Sequence, residues 1–241
     1  MRKKIRLGVN VDHVATLRQV RGGKTAYPDL MDMVKRTVKG GAEQITIHLR
    51  EDRRHIQLED LKNLSKSCPV PLNLEMAATA EMVGYARKYR PDWVCFVPEK
   101  KAELTTEGGL NVKRAYKKLL PMVEKLQRIG IEISMFIEPS IEQVEASFEV
   151  GADAVELHTG TWVQLKGRKK EAEWKRLVEA AEWAHYLGMS VHAGHGIDYE
   201  HAKMINKLPA LSEVNIGHSL VCYALQDGLE ASTQKMRKIL K

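Results

Sequence analysis

The sequence predicts an α/β protein, a single-domain (β/α)8 TIM barrel with extra short helices over residues 1–241. Three observations predict it. Short segments of alternating apolar residues recur, each followed by a helix-like amphipathic stretch, and eight such βα units in series are the number that closes a parallel barrel. The length of 241 residues suits one such barrel. No Pro-, Ser- or Gly-rich linker divides the chain. An open doubly wound sheet is the alternative, but the first βα turn lacks a GxGxxG phosphate loop.

The strand candidates, in order, are Ile5–Val11, Gln44–Leu49, Leu72–Met76, Trp93–Val97, Ile131–Ile137, Ala154–His158, Met189–Ala193 and Val214–Gly217. Helix candidates between them are Asp29–Lys39, Thr79–Tyr89, Val112–Arg128, Ile141–Glu149, Glu171–Tyr186 and Tyr199–Lys207, with a short one around Leu58–Ser65 and a last one over Leu220–Leu240. Gly40-Gly41, Gly130, Gly151 and Gly188 precede strands and suit the left-handed position after a helix C-terminus. The joints Gly41–His48 and Gly151–His158 look alike, as a recurring αβ unit does.

Each strand splits into two faces. The first sets Ile5, Leu7, Val9 and Val11 against Gly8, Asn10 and Asp12; the second sets Ile45, Ile47 and Leu49 against Thr46, His48 and Arg50. The third opposes Leu72 and Leu74 to Asn73 and Glu75, and the fifth opposes Ile131, Ile133, Met135 and Ile137 to Glu132, Ser134, Phe136 and Glu138. The sixth gives Val155 and Leu157 against Glu156 and His158; the seventh, Met189, Val191 and Ala193 against Ser190, His192 and Gly194; the eighth, Val214 and Ile216 against Asn215 and Gly217. The aliphatic set belongs on the helix side, the larger apolar interface, so the polar set points into the barrel. Burying an unpaired polar group costs about 1–3 kcal/mol, so this content implies a hydrogen-bonded, wet cavity rather than a purely structural interior.

The polar residues crowd the C-terminal strand ends, where barrel enzymes carry their chemistry: Asn10, Asp12 and His13; His48 and Arg50; Glu75; His158 and Thr159; His195; Gly217 and His218. One strand-end histidine is commonly structural, whereas five on five strand ends point to acid/base work. Clustered histidines and carboxylates also admit a metal, but no HxH pair lies on one strand, and His192 and His195, three apart, do not share a face. Metal-free acid/base chemistry is the preferred reading. Gly194-His195-Gly196 and Gly217-His218 fall where barrels bind phosphate through backbone N–H groups. Arg21-Gly22-Gly23-Lys24 and Arg50–His55 add cations beyond the first two strands, and Pro98–Leu110, with its paired glycines, reads as a lid.

Composition narrows the class. Lys and Arg number 38 against 31 Asp and Glu, a net charge of +7, but the basic residues mix with Glu along amphipathic stretches such as Lys170–Arg176, as on a solvated helix face. The surplus suits anionic substrates, and no nucleic-acid-binding motif is present. The three cysteines are scattered and indicate neither a disulfide framework nor a thiolate metal site. The apolar run after Met1–Lys4 breaks at Asn10, too early for a signal peptide, and no 18-residue apolar stretch suggests a membrane span. A cytoplasmic protein is expected.

Six segments carry a family resemblance: Gly8–Arg18, His48–His55, Asn73–Met76, Val97–Lys100 with Thr105–Leu110, Ala193–Gly196 and Asn215–His218. Together, and in this order along nearly the whole chain, they resemble the pyridoxine 5′-phosphate synthase family. The resemblance implies condensation of 1-deoxy-D-xylulose 5-phosphate with 3-amino-2-oxopropyl phosphate to pyridoxine 5′-phosphate, inorganic phosphate and water. It implies no metal or organic cofactor, and a homo-octamer built as a tetramer of dimers. Carried onto matching positions, His48 and Glu75 are proton acceptors and His195 the proton donor. Asp12, His13, Arg50, His55 and Thr105 bind the deoxyxylulose phosphate, while Asn10, Arg21, Gly196, Gly217 and His218 bind the aminoketone phosphate. Two departures are His192, where the family has Asn, and Trp162, where it tends to have Tyr. The first places an extra titratable group near the donor. Glu75, flanked by cations, is expected to stay ionised, and His48 and His195 to titrate near neutrality.

Rival readings remain. A Schiff-base aldolase barrel needs an inward strand-end lysine, which none of these strands carries. A sugar-phosphate isomerase is another phosphate-binding barrel, and a basic RNA-binding protein would betray itself by steeply salt-dependent RNA affinity.

Overall fold

The structure is a computed structural model and describes residues 4–99 and 108–240. Eight parallel strands close in sequence order into a barrel: β1 (Arg6–Asn10), β2 (Gln44–His48), β3 (Leu72–Met76), β4 (Trp93–Phe96), β5 (Glu132–Ile137), β6 (Ala154–His158), β7 (Ser190–Gly194) and β8 (Leu211–Ile216), with β1 paired to β8. Around them run α1 (Asp12–Gln19), α2 (Leu30–Lys39), α3 (Leu58–Ser67), α4 (Ala80–Tyr89), α5 (Val112–Gln127), α6 (Ile141–Glu149), α7 (Gly160–Gln164), α8 (Gly167–Tyr186), α9 (Tyr199–Ile205), α10 (His218–Asp227) and α11 (Leu229–Ile239). Among the described residues no helix is long and apolar enough to cross a membrane.

The two-face reading of the strands holds. Leu7, Val9, Ile45, Ile47, Leu74, Ile133, Val155 and Val214 are fully buried in one large apolar core with the inner faces of the helices. The opposite faces fill the barrel. Cys95 of β4 and Val97 just after it put a wedge there with Phe136 of β5, separate from the outer core. The joint glycines Gly41, Gly130, Gly151 and Gly188 all have positive φ, as expected of residues that end a helix in the left-handed region.

Three helical assignments differ from the sequence reading. Residues 220–240 are two helices rather than one, because Gly228, at φ +79°, turns the chain between α10 and α11. Helix α1 was hidden inside the motif that follows β1, where its apolar residues continue the pattern of the strand. Helix α8 starts at Gly167, ahead of the predicted Glu171, with the short α7 before it.

Part of the barrel interior is a buried, hydrogen-bonded polar floor around Glu213. Glu213 is fully buried; its Oε1 accepts from Gln44 Nε2 at 2.7 Å and from Asn215 Nδ2 at 3.2 Å, and its Oε2 lies 2.9 Å from the Arg6 guanidinium. His192 belongs to this floor: its Nδ1 is 3.5 Å from Glu213 and its ring lies edge-on to Trp93. It is therefore not an extra group at the donor histidine, and burial lowers its pKa so that the neutral ring is favoured. Trp162 is likewise a packing residue, between Trp174, His201 and the Lys170 ammonium.

Helix α1 is tied to α3 by a bidentate pair, Arg18 to both oxygens of Asp60 at 2.7 and 2.6 Å, with the two side chains only 16% and 11% exposed. Asp60 also accepts the N–H of Gln57 at 2.8 Å. Removing one partner of such a pair strands the other charge, so Asp60→Ala should cost about 3 kcal/mol in chemical denaturation. An unchanged denaturation midpoint would show that the pair contributes nothing net.

Candidate active site

The first half of the mouth is assembled by strand register. His48 of β2 pairs directly with Glu75 of β3, which brings two distant motifs side by side. His48 Nδ1 stands 3.8 Å from Glu75 Oε2, and its Nε2 is 2.8 Å from Glu99 Oε1, just beyond β4. Asn10 Nδ2 donates to Glu75 Oε1 at 2.9 Å, and Asp12 at the start of α1 accepts the backbone N–H of His48 at 2.8 Å. The His55 ring lies 6.1 Å from that of His48.

Arg50 is 3% exposed, beside Asp52. The other cations of its run are engaged with carboxylates: Arg53 with Glu81 and Arg54 with Asp52. Asp52 is itself held down at about 2: burial opposes ionisation, but the Arg54 hydrogen bonds and the Arg50 and Arg54 charges outweigh it.

Histidines make up the second half. The His158 and His195 rings are 5.1 Å apart, and those of His13 and His218 are 5.0 Å apart. His158 Nδ1 is 2.8 Å from Glu138 Oε1, which also accepts the N–H of Gly109 at 2.9 Å. His195 sits at φ +79°, a conformation costly for a residue with a side chain. Thr159 enforces it, because its hydroxyl reaches the carbonyls of both Gly194 and His195, at 2.7 and 2.6 Å. Gly196 follows at φ +78°, and Gly217 is the N-cap of α10, which begins directly after the C-terminal end of β8. A Cβ on Gly160 would lie 2.5 Å from His158 Nε2 and 2.8 Å from His195 Cδ2. Gly160→Ala should therefore displace both rings and cost turnover at least tenfold while leaving the circular dichroism spectrum unchanged; full activity would show that the rings have room to move.

Protonation departs from the expectation. Among the described residues, His48 is the positive group that acts on Glu75. Burial raises Glu75 to about 7, opposed by His48 and the Asn10 hydrogen bond and reinforced by the Asp12 charge. His195 does not titrate near neutrality: burial, then the charges of His158, His13 and His218, lower it to about 4. For His48, burial pulls downward, but the Glu99 hydrogen bond and the charges of Glu75, Asp12 and Glu99 outweigh it, and its pKa is raised. Glu156, inward on β6 and hydrogen-bonded to Asn215 Nδ2 at 2.8 Å, is pushed well above the carboxylate range by burial and by the charges of Glu75 and Glu213.

Of the residues singled out from sequence, Asn10, Asp12, His13, His48, Arg50, His55, Glu75, His195, Gly196, Gly217 and His218 gather at this end of the barrel. Arg21 is exposed, two residues past the end of α1. Thr105 and most of the segment read as a lid lie outside the described residues. Sequence reading quoted Glu99 only within the Val97–Lys100 segment and left it, like Glu138, His158 and Glu156, without a specific role. The inward alternation signalled the last three. Glu99 lies past the end of β4, and only the closed barrel brings it to His48.

Comparison with known proteins identifies the family. Residues 7–241 match the family model described as pyridoxal phosphate biosynthesis protein PdxJ. The chain is 81% identical over 241 residues to the pyridoxine 5′-phosphate synthase of Bdellovibrio bacteriovorus, covering 100% of both. It is 46% identical to that of Ehrlichia chaffeensis (98% of this chain, 97% of the relative) and 48% identical to that of Zymomonas mobilis (100% and 93%). Among solved structures it resembles a 3-keto-L-gulonate-6-phosphate decarboxylase from Vibrio cholerae (TM-score 0.66, 11% identity, 99% and 100% coverage), a likeness of fold alone. Family model, relatives and barrel agree: the chain belongs to the PdxJ family of pyridoxal phosphate biosynthesis proteins.

Proposed function

We propose that this chain condenses 1-deoxy-D-xylulose 5-phosphate with 3-amino-2-oxopropyl phosphate, closing the ring of pyridoxine 5′-phosphate with release of inorganic phosphate and water. The observation that carries this reading is the juxtaposition of Glu75, His48 and His195 at one barrel mouth, beside two glycine-histidine turns suited to phosphate esters. Imine formation, loss of a carbon-bound proton, expulsion of phosphate, aldol-type closure and dehydration each move a proton, which is why several acid/base groups must share one cavity.

In this reading Glu75 and His48 accept protons and His195 donates. Glu75 at about 7 is poised to take a proton near neutral pH and give it up again. His195 is neutral beside three other histidines, and a phosphate dianion on the Gly196 and Gly217-His218 turns would reverse the local field and load it with a proton. Asp12, His13, Arg50, His55 and Thr105 would hold the deoxyxylulose phosphate; Arg50, buried, supplies the fixed charge. Asn10, Arg21, Gly196, Gly217 and His218 would hold the aminoketone phosphate. No metal or organic cofactor is needed for these steps.

Assembly as a homo-octamer and a cytoplasmic location complete the reading. Leu17, Val20 and Tyr27, near Arg21 in the chain, are exposed at 49%, 76% and 73% and suit burial against another copy. Purified protein incubated with both phosphates in the presence of a chelator should yield pyridoxine 5′-phosphate with matching phosphate release. No product would refute the assignment, and sedimentation at less than the mass of eight chains would refute the octamer.

A further inference from the structure

We propose that Glu99 is the positioning residue of His48, holding the Nε2–H of the imidazole so that Nδ1, facing Glu75 and the cavity, is the atom that accepts the substrate proton. The catalytic consequence rests on the synthase reading, while the assignment of the ring does not.

The two nitrogens of His48 have different surroundings. Nε2 is 2.8 Å from Glu99 Oε1, a full hydrogen bond, whereas Nδ1 is 3.8 Å from Glu75 Oε2, too long for one. The second oxygen of Glu99 accepts the N–H of Glu51 at 3.0 Å, so the turn after β2 fixes the orientation of the carboxylate that fixes the ring. Both side chains are nearly closed to solvent, at 6% and 5%, where such a bond is strong. Burial works against ionisation of Glu99, yet the His48 hydrogen bond and charge, the Glu51 N–H and Arg50 outweigh it and hold the carboxyl below its usual range. An ionised carboxylate only accepts, so Nε2 carries the hydrogen and the lone pair of neutral His48 sits on Nδ1.

Among the described residues, the other groups around the ring are Glu75 from β3, Asp12 from α1, which grips the His48 backbone rather than the ring, and His55 from the loop after β2. When the base acts, a substrate hydrogen leaves as a proton and forms the Nδ1–H bond. Its bonding pair stays on the substrate, and the resulting imidazolium lies against the Glu99 carboxylate. This is the arrangement in which a buried carboxylate sets the tautomer of a catalytic histidine and stabilises its charged form.

Nitrogen-15 NMR of the imidazoles, with His48 assigned by its loss in His48→Gln, reads the tautomer without substrate. Above its pKa, wild-type His48 should carry hydrogen on Nε2. In Glu99→Gln the pKa should fall, because burial then dominates, and the preference for Nε2–H should weaken. Turnover by Glu99→Gln should drop roughly 10–100-fold with KM little changed. The acid limb of its kcat profile should move to lower pH, and Glu99→Asp should recover part of the loss. Hydrogen on Nδ1 in the wild type would overturn the proposal, as would a Glu99→Gln enzyme with kcat within twofold of wild type and an unmoved acid limb. If Glu99→Gln does not fold, the wild-type tautomer and Glu99→Asp decide the matter. A chain that shows Nε2–H yet makes no pyridoxine 5′-phosphate refutes the synthase reading and leaves the Glu99–His48 assignment standing.

Discussion

Glu75→Gln is expected to fold as the wild type does and to lose about 10²–10⁴-fold in kcat, the range for removal of a general base. The amide keeps an oxygen for Asn10 Nδ2 and nearly the same volume, so the loss would report proton transfer rather than packing. Stability should move the opposite way. The pKa of Glu75 is raised from 4.5 to about 7, chiefly by burial. Its contribution is therefore complete below the unfolded pKa and disappears as pH climbs towards 7. Deprotonation across that window costs about 3 kcal/mol at about 1.4 kcal/mol per pH unit. His48, with its raised pKa, slopes the same way. Between pH 5 and pH 7 the Tm of wild type should decline relative to that of Glu75→Gln. Parallel Tm curves for the two proteins would mean that Glu75 is not desolvated as the geometry implies.

The second large effect is expected at His195. His195→Asn should reduce kcat by about 10²–10⁴-fold, since the proton donor is gone. The sign of its linkage is opposite to that of Glu75. A histidine lowered from 6.5 to about 4 contributes stability that is complete above pH 6.5 and is lost as pH falls towards 4, because the unfolded chain then binds the proton more readily. His195→Asn should therefore lose less Tm than wild type between pH 7 and pH 4.5. Inorganic phosphate offers a direct check. The His195 resonance should titrate near 4 alone and shift upward when phosphate binds the adjacent turns, because a dianion favours imidazolium where His13, His158 and His218 disfavour it. A titration unmoved by saturating phosphate would place the anion elsewhere.

The barrel and most of its mouth could be read from the chain because period-two alternation is local. Ile45 and Ile47 against Thr46 and His48 assign faces without knowledge of any neighbour, and a parallel barrel then dictates which end carries the chemistry. The polar interior was legible for the same reason. Its division into a packed floor around Glu213 and a reactive rim was not, because hydrogen bonds such as Gln44 to Glu213 span 169 residues. Helix α1 and the break at Gly228 escaped because a short helix can extend a strand's apolar pattern, and a lone glycine inside an amphipathic run does not reveal its φ.

Local pattern, then, settled which residue types line the barrel and at which end they act. Closure of the sheet settled everything that depends on distance between segments. It set His48 beside Glu75 by register and brought Glu99 to the ring from beyond another strand. It moved Glu75 and His195 from their ordinary protonation in opposite directions. Alternation is a property of neighbours in the chain, whereas burial and electric field at a side chain sum over groups that only the folded barrel brings together.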